Sequence, residues 1–148
     1  MRRAVAAIVV GAGMATMSGC GQTAVAPSPL TIERPRIGAA PAGTNAAMYF
    51  DVVSDTADRL TGASTDVARI SSIHRTDDAG TMIEVDAVDL PAGVVVRFEP
   101  FADHIMLEDL ERDLSPGDRV PITLSFDENP GATVEAIVVE LADLADEP

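Results

Sequence analysis

Lysine and tryptophan are absent from this chain of 148 residues, and cysteine occurs once. A single cysteine excludes a disulfide bond within the chain. Because the aromatic residues are four Phe and one Tyr, the core must consist mainly of aliphatic side chains, among which Val and Ile favour β-strands. The ten basic residues, all arginine, stand against 24 acidic ones, which gives a net charge of −14. A surface of that sign repels phosphate backbones and argues against nucleic-acid binding.

The sequence patterns of common enzyme classes are also missing. There is no G-x-S-x-G motif, no glycine-rich phosphate loop and no H-E-x-x-H motif. Carboxylates are plentiful, but they are scattered over predicted turns and exposed strand faces, so no pair stands out for acid–base catalysis. We therefore predict that the protein is not an enzyme.

The first twenty residues have the pattern of a lipoprotein signal peptide. Arg2 and Arg3 precede the apolar run Ala4–Met17, whose 14 residues are too few to span a bilayer. The segment that follows, Ser-Gly-Cys, resembles the end of a bacterial lipobox, in which the cysteine carries the lipid. We predict a signal peptide over residues 1–20, lipidation of Cys20, and anchoring to the extracytoplasmic face of the cell membrane. An ordinary cleavable signal with an incidental cysteine is the alternative.

Short apolar or alternating runs, separated by Pro, Gly, Asp and Asn, fill the rest of the chain. We predict a flexible tether over residues 21–29, one domain over 30–141 and an acidic tail over 142–148. Many short strands at close spacing predict an all-β fold, an antiparallel β-sandwich. The predicted strands are Leu30–Ile37, Ala47–Val53, Asp58–Ser64, Ile70–His74, Met82–Ala87, Val94–Phe98, Ile105–Leu110, Val120–Phe126 and Thr133–Glu140.

The rarest polar and sulfur-containing residues form one pattern. Both histidines of the chain, His74 and His104, take part in it together with Met82 and Met106, whereas Met48 lies in an apolar run and is predicted to be a core residue. Alternate residues of a strand share a face, so the second histidine and the methionine two residues later can point to one place. The other two residues flank a predicted hairpin turn and should lie nearly opposite each other.

These ligand types favour copper(I). Thioethers are soft, uncharged donors that suit Cu(I), whereas zinc prefers thiolate, imidazole and carboxylate ligands. Two imidazoles and two thioethers can surround Cu(I) without a thiol, which would oxidise outside the cytoplasm. The structural alternative is that the methionines fill the core and the histidines serve the fold.

The pattern resembles that of the PCu(A)C copper chaperones. The shared signature is Met82, an interval of 21 residues, and then His104-Ile105-Met106. Three flanking segments also resemble the family, and the likeness covers about residues 30–140; these segments are Asp58–Ser64, Pro91–Gly93 and Leu114–Leu124. The resemblance implies a cupredoxin-like sandwich that binds one Cu(I). It also implies delivery of the ion to the CuA site of cytochrome c oxidase, with Sco-type thiol chaperones as further partners.

One departure from the family leaves alternatives open. Seven residues separate His74 from Met82, where family members usually have ten. A change by an odd number can move a side chain to the other face of a strand, so the sequence does not decide whether His74 is a ligand. An envelope scaffold or interaction lipoprotein without metal is the alternative function, and copper storage or detoxification would use the same site. A blue-copper electron carrier needs a cysteine ligand, and Cys20 is remote.

Overall fold

The computed structural model describes residues 29–144, which form ten strands and one short 3-10 helix. The predicted signal peptide, Cys20 and residues 21–28 of the predicted tether lie outside the described residues. No helix in the described part is long and apolar enough to cross a membrane. In chain order, the strands β1 to β10 are Leu30–Gly38, Ala46–Ser54, Asp58–Ser64, Ala68–Thr76, Met82–Glu84, Val88–Leu90, Val96–Phe98, Asp103–Leu110, Arg119–Phe126 and Ala132–Val139.

Nine of these strands match the predicted ones, and β6 was missed. The sequence predicted a single strand over Met82–Ala87, but β5 ends at Glu84 and a new strand begins at Val88. The two strands pair with different partners, since β5 lies beside β4 and β6 lies beside β3. In β6, Val88 and Leu90 are buried on either side of exposed Asp89, which is the alternation of a half-buried strand.

The strands form one mixed sheet in the order β5-β4-β8-β2-β1-β10-β9-β3-β6, with β7 paired to β2. Strands β3 and β4 lie near opposite ends of this order, although only residues 65–67 join them in the chain. The sheet must therefore curve back on itself around its core. The all-β, cupredoxin-like prediction is confirmed. Strands β1 and β10 run parallel, which the antiparallel pattern did not anticipate, because they are distant in sequence and no hairpin fixes their direction.

The core is built from the inward faces of these strands. Along β2, every second residue from Ala46 to Ser54 is buried, which explains why this segment forms a strand with one face in the core. Phe50 stacks on Phe98 with ring centroids 4.4 Å apart, and Met48 is fully buried beside them in the same cluster. Burial of each such side chain contributes about 1.5–3 kcal/mol. The structure therefore places Met48 in the core, as predicted.

The fold extends three residues beyond the boundary predicted at residue 141. Residues Leu141–Leu144 form the 3-10 helix, and the side chain of Leu144 is buried. The helix packs against Gly38, where an added Cβ would lie 2.7 Å from Leu141 Cδ2 and 2.9 Å from Leu144 Cδ1. The absence of a side chain at Gly38 thus admits the helix, and residues 142–144 belong to the domain rather than to an acidic tail.

Candidate metal centre

Strand β8 presents His104 and Met106 on the same face. Between and after them, Ile105 and Leu107 point into the hydrophobic core and are fully buried. His104 is nevertheless only 3% exposed, and the rings of Tyr49 and His74 lie near it. The alternation read from the sequence therefore sets the direction of both side chains.

The pairing of β4 with β8 places His74 directly opposite His104. The two imidazole centroids are 5.8 Å apart and the rings are tilted by 53°. Met106 lies opposite Ser72, one step along the same face. The shortened hairpin has therefore not moved His74 to the other side of the strand.

Met82 reaches this face from β5. The strands β4 and β5 are joined by a five-residue turn, Asp77–Thr81, in which the Asp77 carboxylate accepts hydrogen bonds from Ala79 N–H at 2.9 Å and Thr81 N–H at 2.8 Å. Met82 pairs with Thr76, so it lies diagonally rather than directly across from His74. Diagonal neighbours on one face lie about 7–8 Å apart, within reach of a long side chain.

A backbone carbonyl fixes the tautomer of His104. Its Nδ1 lies 3.0 Å from the carbonyl oxygen of Ala102. A carbonyl can only accept, so Nδ1 carries the proton and the neutral ring has its lone pair on Nε2. Metal-binding histidines are commonly oriented in this way by a second partner.

His74 has the opposite arrangement around its ring. Its Nδ1 is buried without a hydrogen-bond partner, and its Nε2 lies 4.0 Å from Glu108 Oε1. A buried polar atom without a partner is costly in a protein that holds no ligand there. This nitrogen therefore fits a site at which a metal ion supplies the missing interaction.

A cleft of about 550 Å³ opens beside these residues. Its lining includes Met82, His104 and Met106, together with Tyr49 and Phe101. A slightly larger cleft of about 620 Å³ lies over β1, β9 and β10, but its lining of arginines, carboxylates and aliphatic side chains includes no histidine or methionine. Three of the four candidate donors thus line one accessible opening, and His74 is the direct cross-strand partner of one of them, His104.

Two aromatic residues that line this cleft, Tyr49 and Phe101, were not predicted from the sequence. The ring of Tyr49 lies 6.1 Å from that of His104, and burial raises the pKa of its hydroxyl although the charge of Arg36 partly offsets this. Phe101 is 88% exposed and has a φ of 66°, an unusual value for a bulky residue. The scarcity of aromatic residues in the chain was the signal that could have drawn attention to both.

An ion pair on the other face holds the two histidine strands in register. Arg75 and Asp103 are direct partners across β4 and β8, and the guanidinium donates to both carboxylate oxygens, at 2.6 and 3.0 Å. The hydrogen bond to Asp103 and the charge of that carboxylate raise the pKa of Arg75. Arg75 directly follows His74, and Asp103 directly precedes His104. The ion pair therefore stabilises the register that places the two imidazoles opposite each other.

Most of the described domain matches the model of one protein family. The model of the family described as lipoprotein LpqE-like matches residues 30–138, which is most of the described domain. The chain belongs to the LpqE-like family. An uncharacterized protein of Rickettsia prowazekii (strain Madrid E), RP573, is 37% identical to this LpqE-like protein over 102 residues. That match covers 65% of this chain and 56% of RP573.

Solved structures link the LpqE-like chain to PCuAC domains. The copper-bound PCuAC domain from PmoF2 is 29% identical, with a TM-score of 0.67, over 78% of this chain and 96% of that domain. The solution structure of CuI-DR1885 from Deinococcus radiodurans is 26% identical, with a TM-score of 0.62, over 82% of this chain and 84% of that protein. The resemblance to PCu(A)C proteins found in the sequence is therefore confirmed.

Proposed function

We propose that this protein is a copper chaperone that binds one Cu(I) ion through His74, Met82, His104 and Met106. The observation that supports the proposal is the strand register, which puts all four residues on one face of the neighbouring strands β4, β5 and β8. The similarity to domains solved with copper bound supports the same ion.

The donor set suits a chaperone because it binds a soft ion without holding it permanently. Two imidazoles and two thioethers are all neutral, and thioethers favour Cu(I) over harder cations. Met82 is 56% exposed and Met106 borders the cleft, so the ligands of a receiving protein could replace them one at a time. Copper would then pass between proteins without entering solution as a free ion.

The proposed place of action is the outer face of the cell membrane. The lipobox-like sequence at Cys20 and membership of a lipoprotein family support a lipid anchor there. The proposed recipients are the CuA subunit of cytochrome c oxidase or a Sco-type thiol chaperone, as the family resemblance implies. We propose a transfer role, with no catalysed reaction.

A Cu(I) competition titration against a chromogenic chelator tests the site. We expect one tightly bound equivalent for the wild type and weaker binding for His74→Ala. Met48→Leu is the matched control, because it removes a thioether that is fully buried in the core. Met48 points away from the cleft, since its neighbour in β2, Ala47, lines the cleft and adjacent residues of a strand point to opposite faces. One equivalent that is insensitive to His74 would reduce the site to three ligands. No binding by the wild type would favour the scaffold lipoprotein instead.

A further inference from the structure

A fifth side chain lies on the face that carries the proposed copper ligands. Glu108 follows Met106 by two residues in β8, and its Oε1 is 4.0 Å from His74 Nε2. The same oxygen accepts a hydrogen bond of 2.6 Å from the hydroxyl of Ser72, which is buried. The carboxylate is therefore held beside the imidazole by a second contact.

We propose that Glu108 is a positioning residue for His74. By accepting a hydrogen bond from Nε2–H, the carboxylate keeps the lone pair of the neutral ring on Nδ1, the buried nitrogen that has no hydrogen-bond partner. The gap of 4.0 Å is too long for a hydrogen bond and must close by about 1 Å when the ring is fixed. This inference rests on the proposed function, in which His74 is a copper ligand.

The two histidines would then coordinate through different nitrogens. The carbonyl of Ala102 accepts a hydrogen bond from Nδ1–H of His104 and leaves Nε2 as its metal-binding atom, whereas Glu108 leaves Nδ1 as the metal-binding atom of His74. The two rings belong to direct cross-strand partners, and their centroids are 5.8 Å apart. One carbonyl and one carboxylate thus assign the two donor atoms.

The charge of Glu108 supports the same role. Four neutral ligands around Cu(I) leave a net charge of +1 in a partly buried place, where an unpaired charge is unfavourable. The carboxylate supplies the compensating charge next to the site. As a hard oxygen donor it is a poor ligand for Cu(I), so a position behind the histidine suits it better than one on the metal.

Nitrogen-15 NMR of the metal-free protein at pH 8 tests the tautomer directly. In the wild type, we expect His74 to carry its proton on Nε2 and His104 to carry its proton on Nδ1. Glu108→Ala should give a mixture of tautomers at His74 while His104 stays unchanged, and Glu108→Gln, which keeps an acceptor oxygen, should restore the wild-type signal. If Glu108→Ala fails to fold, Ser72→Ala, which frees the carboxylate, should give a smaller shift in the same direction. A wild-type proton on His74 Nδ1, or no change in the variants, overturns the inference.

Copper affinity provides the second readout. Loss of an outer partner of a metal ligand commonly lowers affinity by about 10-fold to 100-fold, and we expect at least tenfold weaker binding for Glu108→Ala. Glu84→Ala is the control, because Glu84 lies opposite His74 on the β5 side and is exposed. An equal loss in both variants would show a general charge effect and overturn the positioning role. Absence of copper binding in the wild type would reject the proposed function, and the NMR result alone would then decide the role of Glu108.

Discussion

Replacing Asp58 should remove the hydrogen bonds that join the start of β3 to the loop after β9. Its carboxylate accepts hydrogen bonds from the N–H groups of Arg59 at 2.7 Å, Glu128 at 2.9 Å and Asn129 at 3.0 Å, and from the side-chain amide of Asn129 at 2.7 Å. The bonds to residues 128 and 129 join positions at least 70 residues apart in sequence. Asp58 also begins one of the three flanking segments that resemble the copper chaperones, and these hydrogen bonds give it a structural role.

The expected loss follows from these contacts. A hydrogen bond to a charged group contributes about 1.5–3 kcal/mol, but four bonds to one carboxylate are not additive, and the freed loop donors can reach water. We therefore expect Asp58→Ala to lower the free energy of unfolding by about 3 kcal/mol, out of about 5–15 kcal/mol for a typical domain. With a urea dependence of about 1.5 kcal/mol per molar, the unfolding midpoint should fall by about 2 M.

The pH dependence separates the charge from the shape of the side chain. Burial alone would raise the pKa of Asp58, but the hydrogen bonds from Glu128, Arg59 and Asn129 outweigh it and hold the pKa below its ordinary value. Because the folded pKa is the lower one, this stabilisation is fully present above the unfolded pKa of about 3.9 and is lost as the pH falls through the folded pKa. The deficit of Asp58→Asn should thus be largest near pH 7 and shrink in acid. This reasoning would be refuted if the loss of unfolding free energy in Asp58→Asn were the same at pH 7 and in acid. A loss below about 1 kcal/mol in Asp58→Ala would refute it too.

Three further predictions concern the site and one turn. Met106→Leu should weaken Cu(I) binding at least about tenfold with an unchanged circular dichroism spectrum, whereas unchanged affinity would remove Met106 from the site. His104→Ala should reduce affinity more than His74→Ala, because His104 is the more deeply buried and is oriented by a carbonyl; the reverse order in the same titration would contradict this. Gly117→Ala should lower the free energy of unfolding by about 1–2 kcal/mol, since Gly117 has a φ of 96° that disfavours any Cβ; a urea midpoint equal to that of the wild type would argue against it.

Much of the strand pattern was predictable because several long strands, among them β2 and β9, bury alternate residues on one face. The alternation along β2 and the turn residues between runs determine where strands begin and end. The three-residue strand β6 has too few residues for such a pattern, and its existence depends on a place beside β3. Choice of partner is a property of the whole sheet, which is why the parallel pairing of β1 with β10 was not read from the sequence either.

The candidate site was predictable in composition but not in detail. Rarity and spacing led to the four proposed ligands, but the diagonal position of Met82 relative to His74 depends on the turn in which Asp77 accepts hydrogen bonds. Thr76 and Met82 are direct cross-strand partners and so share a face, and His74 lies on that face because it precedes Thr76 by two residues. Glu108 could have been found by extending the alternation one step past Met106, whereas its contact with His74 required the register of β4.

The position of β5 at the edge of the sheet bears on which proposed ligand would leave the copper ion first. This strand lies at one edge of the sheet, has three exposed residues and pairs only with β4 among the described strands, whereas β8 has neighbours on both sides. Short edge segments with few buried contacts open locally at the lowest free-energy cost. Met82 would therefore detach first, by fraying of the edge, while His104 stays in place. The residence time of the ion would then follow the opening rate of this edge, which amide hydrogen exchange at β5 measures.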